Sequence, residues 1–331
     1  MPTWNFYCLQ ENWITMLENK RVLITGGTGS LGSSIVKRAY AENWNTEITV
    51  LARTESKIAQ MRKDFPDVRA EIGDVRDADW LRTIFPGHQI IIHAAALKIV
   101  PTAEANVREA ILTNIMGSMN VAQAAVDSKV EKVIGILTDK EVFASTVYGS
   151  TKKCAGAVLR EANNWGKTVF INCRYGNVLG SRASILELLL KLKKENKPFT
   201  ITDKRCTRFW LRMDDAIDLI LLSLEQEYPG VTVVPKAAAS PILSLFKAVD
   251  PDREIIDVGI RPGEKVHEML VDSVESLHTV DMGKYFLVHP PTSNVRSNLP
   301  DQYQYTSDNP AKILSINDLI EMTGLNDSSY R

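Results

Sequence analysis

Tyr148 and Lys152 stand at positions i and i+4, a spacing that stacks a phenol and an ammonium on one face of a helix. A phenol ordinarily titrates near about 10, so removing a hydroxyl proton at neutral pH requires a cation beside it, and Lys152 supplies one. The spacing alone is common on surface helices. It gains meaning from a preceding strand, Lys132 to Leu137, that ends in Thr138-Asp139-Lys140. A hydride transfer by itself has no use for an extra acid and base at that place, whereas elimination of water requires both. The bland alternative is an exposed Asp-Lys pair after a strand.

These groups need a scaffold, and the hydrophobic pattern describes one. Apolar runs at Arg21–Thr25, Glu47–Ala52, Val68–Ile72, Gln89–Ala94, Lys132–Leu137 and Thr168–Cys173 alternate with helical stretches, including Ser33–Glu42 and Ala103–Asp127. Nearly continuous apolar strands separated by helices predict an α/β fold with a doubly wound parallel sheet of the Rossmann type. After Tyr175 the alternation loosens, with helices at about Ile185–Lys194 and Asp214–Glu225. The reading is a dinucleotide domain over 19–177 and a smaller substrate domain over 178–331, some of whose segments return to the first. Residues 1–18 precede the periodic pattern and read as an appendage.

Gly26, Gly29 and Gly32 form G-x-x-G-x-x-G where the first strand turns into the first helix. There the missing side chains let a pyrophosphate approach the backbone and the helix N-terminus, with Thr28, Ser30 and Leu31 completing the turn. At the end of the second strand, where an acid would meet a free ribose hydroxyl, the sequence has Arg53, with Thr54 and Lys57 close behind. A cation there suits a 2′-phosphate and favours NADP over NAD, although Glu55 weakens the preference. Asp74 and Val75 are candidate adenine contacts. Ala94, Ala95 and Ala96 are small where backbone must pass the cofactor.

Composition narrows the classes. The 331 residues are 44% hydrophobic and 24% charged with a formal net charge of -1, which suits a globular chain and gives no general field for nucleic acid or an anionic membrane. No apolar run approaches the roughly 18 residues of a bilayer span, and the first residues lack a signal peptide's pattern. Cys8, Cys154, Cys173 and Cys206 are far apart, so neither a disulfide framework nor a zinc site is indicated and a reducing cytoplasm is expected. His93 and His267 read as packed residues, with no metal expected.

Several longer strings carry a resemblance: His93-Ala-Ala-Ala-Leu-Lys98 with Val100-Pro101, Thr138-Asp139-Lys140, Tyr148-Gly-Ser-Thr-Lys152, Arg174-Tyr-Gly-Asn-Val178 with Gly180-Ser-Arg182, Thr207-Arg208-Phe209-Trp210, and Arg261-Pro-Gly-Glu-Lys-Val-His-Glu268. Over about Arg21 to Leu325 the chain resembles the inverting UDP-N-acetylglucosamine 4,6-dehydratases, the polysaccharide-biosynthesis group of the extended short-chain dehydrogenases/reductases. The resemblance implies that Thr138 bonds the substrate hydroxyl and that Tyr148 takes the 4-hydroxyl proton as hydride passes to NADP, which is recycled. Lys140, as an uncharged amine, then removes the carbon 5 proton, Asp139 protonates the departing 6-hydroxyl, and hydride returns to carbon 6. It also implies a UDP-sugar wall of Lys98, Asn177, Ser181, Arg182, Thr207, Arg208, Arg261 and Glu264, and a homo-oligomer, dimer or larger.

The chain departs from that group at Glu141–Val147, where EVFASTV replaces a stretch containing Asn-Pro, and at Ala183, where Gly is usual. Relatives that retain the carbon 5 configuration often carry Glu directly after the Asp; here Glu141 comes one residue later. Strand-like alternation would leave only one of Lys140 and Glu141 facing the sugar. The rival readings are a UDP-sugar 4-epimerase, which needs no Asp139-Lys140 pair, a retaining dehydratase, and a non-catalytic NADP-binding sensor.

Overall fold

The computed structural model describes residues 16–325. The expected appendage over 1–18 lies outside them except at its end, where Leu17 is buried in the core. Six strands, β1 (Arg21–Thr25), β2 (Glu47–Ala52), β3 (Arg69–Ile72), β4 (Ile90–His93), β5 (Lys132–Thr138) and β6 (Val169–Tyr175), pair in parallel in the order β6-β5-β4-β1-β2-β3. This is a Rossmann-type doubly wound α/β sheet. The order reverses between β1 and β4, and a crevice opens at their carboxyl ends.

The register explains why these strands are apolar on both faces. Ile24 pairs with Val50 and Ile92, and Leu23 with Thr49 and Ile91. The side chains of Ile24, Val50, Ile92, Ile134 and Ile171 enter one core, shared with the helices Ser30–Ala41 and Met213–Glu225. Leu23, Leu51, Ile91, Val133 and Phe170 enter the other, against the helix Gly117–Asp127. A strand covered by helices on both sides has no polar face to show.

Three later segments complete the sheet beyond β6: Thr232–Pro235 in parallel, then Tyr285–Val288 and Thr279–Asp281 antiparallel. The second half therefore contributes both to the main sheet and to a smaller lobe. That lobe has its own core of Leu186, Leu189, Phe199, Trp210, Phe246 and Leu319. Its small sheet sets Thr207–Leu211 between Ala239–Pro241 and Asn177–Val178.

The continuous helix expected over Ala103–Asp127 is interrupted. Val100–Ala105 stops at Asn106, whose backbone (φ -135, ψ 57) is not helical, and Ile111–Met116 is a π-helical segment between Val107–Ala110 and Gly117–Asp127. The wider turn buries Asn114, which accepts from the Leu97 amide (2.8 Å) and donates to the Leu97 carbonyl (3.1 Å) and the Thr151 hydroxyl (3.0 Å). An apolar count at period 3.6 does not register an inserted residue.

Arg174 ties the end of β6 to both halves. Buried at 4% exposure, it donates from Nε to Glu141 Oε1 (2.6 Å) and from its two terminal nitrogens to Glu275 (2.7 and 2.8 Å) and the Leu270 carbonyl (2.9 Å). Arg174→Met leaves the buried Glu141 carboxylate facing the half-buried Glu275 with no cation between them, and a loss of roughly 3–5 kcal/mol in unfolding free energy is expected. Urea denaturation measures it; a loss under about 1 kcal/mol would show that the network contributes nothing net.

Candidate active site

A cleft of about 810 Å³ runs along the carboxyl ends of the central strands into the second lobe. Its inner end is the glycine turn. Gly26 has φ +70, and a Cβ there would lie 2.9 Å from the Ala95 backbone; one at Gly32 would lie 2.5 Å from Gly27 Cα. The first glycine allows the turn and contact with the β4 strand end, and the third lets the helix Ser30–Ala41 pack onto the turn. Gly29 caps that helix without a side-chain bond, leaving its first N–H groups without intrahelical partners, pointing where an anion would sit. The cradle fits a dinucleotide pyrophosphate.

Every cofactor residue proposed from sequence lines this cleft: Gly26, Thr28, Gly29, Ser30, Leu31, Gly32, Arg53, Thr54, Lys57, Asp74, Val75, Ala94, Ala95 and Ala96, with Tyr148 and Lys152. Asp74 is not a free acceptor, however. Its Oδ1 accepts from the Arg76 amide (3.0 Å), and its Oδ2 accepts from Arg76 Nε (2.8 Å) and lies 3.7 Å from Arg53 Nη1. Burial works to raise the Asp74 carboxyl, but Arg76 and then Arg53 hold it below its ordinary range. Arg76 was missed; a cation placed two residues after a candidate acid was the available signal.

The helix Val147–Glu161 carries Tyr148 and Lys152 and starts at Thr146, whose side chain accepts from the Gly149 amide. The Val147 amide donates to Glu104 (2.7 Å). Burial pushes the Tyr148 phenol up to about 12, opposed by the Lys140 ammonium and a Thr138 hydrogen bond. Burial brings Lys152 down to about 8, opposed by Glu141. The cation that most opposes burial at the phenol is Lys140, whereas the i, i+4 pair had pointed to Lys152.

Thr138–Glu141 departs from the expected strand, because Asp139–Glu141 is a 3-10 turn. Lys140 lines the cleft, while Glu141 points away to Arg174. Asp139 does not line it: the residue is fully buried, with Oδ1 accepting from Thr138 Oγ1 (2.9 Å) and Lys140 Nζ (3.0 Å) and Oδ2 unpaired. Burial holds its carboxyl above the usual range, against Lys140. Nor does Lys140 stand as an uncharged amine. Its Nζ lies 3.0 Å from Asp139, 3.2 Å from Glu268 Oε1 and 3.3 Å from Asn177 Oδ1, and the two carboxylates outweigh burial and hold it above the ordinary lysine range.

Of the substrate wall, Lys98, Asn177, Ser181, Arg182, Arg208, Arg261 and Glu264 line the cleft, and Thr207 does not. Thr207 bonds His267 (2.9 Å) and Ser307 (2.6 Å) instead. Side chains alternate along a strand, so Arg208 and Trp210 face the cleft while Thr207, Phe209 and Leu211 face away. Arg182 grips the cofactor turn, its guanidinium donating to the Thr28 carbonyl and its amide to Ser30 Oγ (2.9 Å). Glu264 accepts from Arg208 (3.0 Å) and Thr202 (3.0 Å), so its carboxylate is engaged rather than open to a ribose or a base. The unusual 141–147 segment clasps the Arg261–Glu268 loop, with Ser145 Oγ donating to the Gly263 carbonyl (2.7 Å) and Lys265 to the Val142 carbonyl. His93 is held between Thr25 and Ser118, and burial brings it down to about 3. Among the described residues no cluster of three or more His, Cys, Asp and Glu could hold a metal, and no helix is long and apolar enough to cross a membrane.

Residues 22–290 match the family of polysaccharide biosynthesis proteins. The chain belongs to that family. It is 36% identical to a UDP-N-acetylglucosamine 4,6-dehydratase (inverting) of Campylobacter jejuni, over 93% of this chain and 98% of that one. It is 40% identical to a UDP-glucose 4-epimerase of Rickettsia bellii, over 82% and 84%. Pen from Bacillus thuringiensis, known from an X-ray structure, superposes with a TM-score of 0.86 at 30% identity, over 94% of this chain and 98% of that one.

The π-helical Asn114 couples the β4 strand-end loop to the Tyr148 helix, since Thr151 also donates to the Tyr148 carbonyl (2.9 Å). Asn114→Leu strands the Leu97 amide and carbonyl, and roughly 1–3 kcal/mol of unfolding free energy should be lost. Urea unfolding with amide exchange at Leu97 checks this, and unchanged protection there would contradict it.

Proposed function

We propose that the protein is an NADP-dependent, 5-inverting UDP-N-acetylglucosamine 4,6-dehydratase, a hydro-lyase. The observation that carries the reading is Lys140 on the cleft wall, in the field of Tyr148 and bonded to a buried carboxyl, Asp139. An epimerase, the function named for the Rickettsia relative, oxidises and reduces carbon 4 and has no step for this pair.

When bound, a nicotinamide supplies reversible hydride storage, from carbon 4 and back to carbon 6. Thr138 and Tyr148 hold the 4-hydroxyl, and Tyr148 takes its proton. The ketone formed at carbon 4 acidifies the carbon 5 proton, which Lys140 faces from the wall and removes. Asp139 remains the proton source for the departing 6-hydroxyl, but it delivers through Lys140, because its own oxygens do not reach the cleft. Lys152 holds the nicotinamide ribose. Arg208, Arg261, Asn177, Ser181 and Lys98 hold the diphosphate and sugar, and Glu264 sets Arg208 in place. Arg53, Thr54 and Lys57 receive the 2′-phosphate. Exposed Val107, Ile111, Met116 and Met119 along one helical stretch support a homo-oligomer.

Purified protein given UDP-N-acetylglucosamine in deuterium oxide should release a 4-keto-6-deoxy product, deuterated and inverted at carbon 5, without net reduction of the cofactor. Proton NMR reads it. The galacto isomer as sole product would establish the epimerase instead. For the cofactor, Arg53→Ala should narrow the preference for NADP over NAD by about tenfold or more, the equivalent of one lost charge-assisted bond. Equal titration of both cofactors by wild type would remove the NADP assignment and leave the dehydratase.

A further inference from the structure

Lys140 cannot remove a proton while it carries one, and two buried carboxyl groups behind the cleft wall, Asp139 and Glu268, lie within reach of its Nζ. Asp139 is the less available, because its Oδ1 is already shared between Thr138 Oγ1 (2.9 Å) and Lys140 Nζ (3.0 Å). Glu268 is different. Its backbone is fixed by Ser307, whose hydroxyl accepts from the Glu268 amide (2.8 Å) and whose amide donates to the Glu268 carbonyl (2.8 Å). This sets the carboxylate, 3% exposed, with Oε1 3.2 Å from Lys140 Nζ and 3.9 Å from Arg208 Nε. Oε2 has no hydrogen-bond partner, with Lys265 Nζ at 4.0 Å. Burial works to raise this carboxyl, yet Lys140, Arg208 and Lys265 hold it below its ordinary value. The groups facing Lys140 are thus Asp139 on its own turn, Tyr148 on the helix, Asn177 and Arg208 on the second lobe's strands, and Glu268 with Lys265 on the loop.

We propose that Glu268 is a positioning residue for the elimination step, pinning Lys140 Nζ over the cleft and accepting its proton so that the amine is free to act. The proposal rests on the dehydratase reading. The step starts with Lys140 as an ammonium and Glu268 as a carboxylate. An N–H bond of Lys140 breaks as an O–H bond forms on Glu268 Oε1. The Lys140 lone pair then takes the carbon 5 proton; the C–H electrons become the C5–C6 double bond, and the C6–O bond breaks. The hydroxide leaving takes one proton from the Asp139–Lys140 pair and departs as water. Glu268 returns its proton through Lys140, and the three groups hold as many protons as before. The substrate's phosphates drive the first transfer: by drawing on Arg208, they weaken one of the cations that keep Glu268 ionised.

The test is Glu268→Gln, which keeps size and hydrogen bonding but cannot take the proton. Single-turnover mixing with UDP-N-acetylglucosamine should show reduced nicotinamide accumulating within about threefold of the wild-type rate, because carbon 4 oxidation does not use Glu268. Deuterium entry at carbon 5 and product release should fall about 100-fold, the scale of a lost proton-transfer partner, with KM within about threefold. Glu268→Asp should recover part of the elimination rate. A residue that only supports the fold would slow both steps alike, and equal losses overturn the proposal. If Glu268→Gln does not fold, Glu268→Asp decides on the same split between the two steps. Wild-type elimination with wild-type-like elimination in Glu268→Gln sinks this inference alone; wild type yielding only the carbon 4 isomer sinks it together with the dehydratase reading.

Discussion

The reactive end of the cleft is organised around one ammonium group. Lys140 Nζ is the shared partner of Asp139, Glu268 and Asn177, and these come from the 3-10 turn after β5, the loop after Arg261 and the short strand Asn177–Val178. A partly buried cation needs its charge compensated, because removing it from water without a counter-charge costs several kcal/mol. Satisfying that single constraint draws the second lobe's loop against the sheet and buries Asp139 behind Thr138. It also lowers the Tyr148 phenol from the value that burial alone would give. The same compensation holds the Lys140 amine in its charged form, so the proposed mechanism needs a step that undoes it.

The cofactor end obeys a different constraint, one of space rather than charge. β1 and β4 are neighbours at the point where the strand order reverses, so their loops must diverge and leave a crevice. Gly26 lies against Ala95 and Gly32 against Gly27 at distances no side chain could share. Arg182 then reaches from the second lobe to Thr28 and Ser30. It was expected beside the sugar, and its position joins cofactor turn and substrate wall in one contact.

The parts of this molecule governed by local rules were legible in the sequence. β1 to β6 fall within a residue or two of their apolar runs, and the glycine turn and the Tyr148–Lys152 helix lie where their spacing puts them. Thr207 failed for a reason also present in the sequence: two adjacent residues of one strand cannot both face a cleft. Asn106 and the π-helical turn at Asn114 failed because a hydrophobic period does not record a lost or inserted residue. Asp139 was placed at the cleft, but only the 3-10 turn reveals which of 139, 140 and 141 faces outward.

Glu268 is the most instructive omission. It was visible at the end of the Arg261–Glu268 string, but nothing local distinguishes a carboxylate that meets Lys140 from one exposed to water. Its role is a property of the tertiary pairing of Met269–Val271 with Tyr305–Thr306 and of the Ser307 bonds beside it. The expectation of an uncharged Lys140 failed for the same reason: it counted only Lys152 and the nicotinamide ring, both cationic, and a lysine among cations would indeed lose its proton. The chain places two carboxylates there instead. In the mechanism proposed above, such a base is held as an ammonium and released when substrate rearranges its partners. On that proposal, proton abstraction is tied to binding of the substrate's phosphates through Arg208, which lies 3.0 Å from Glu264 and 3.9 Å from Glu268.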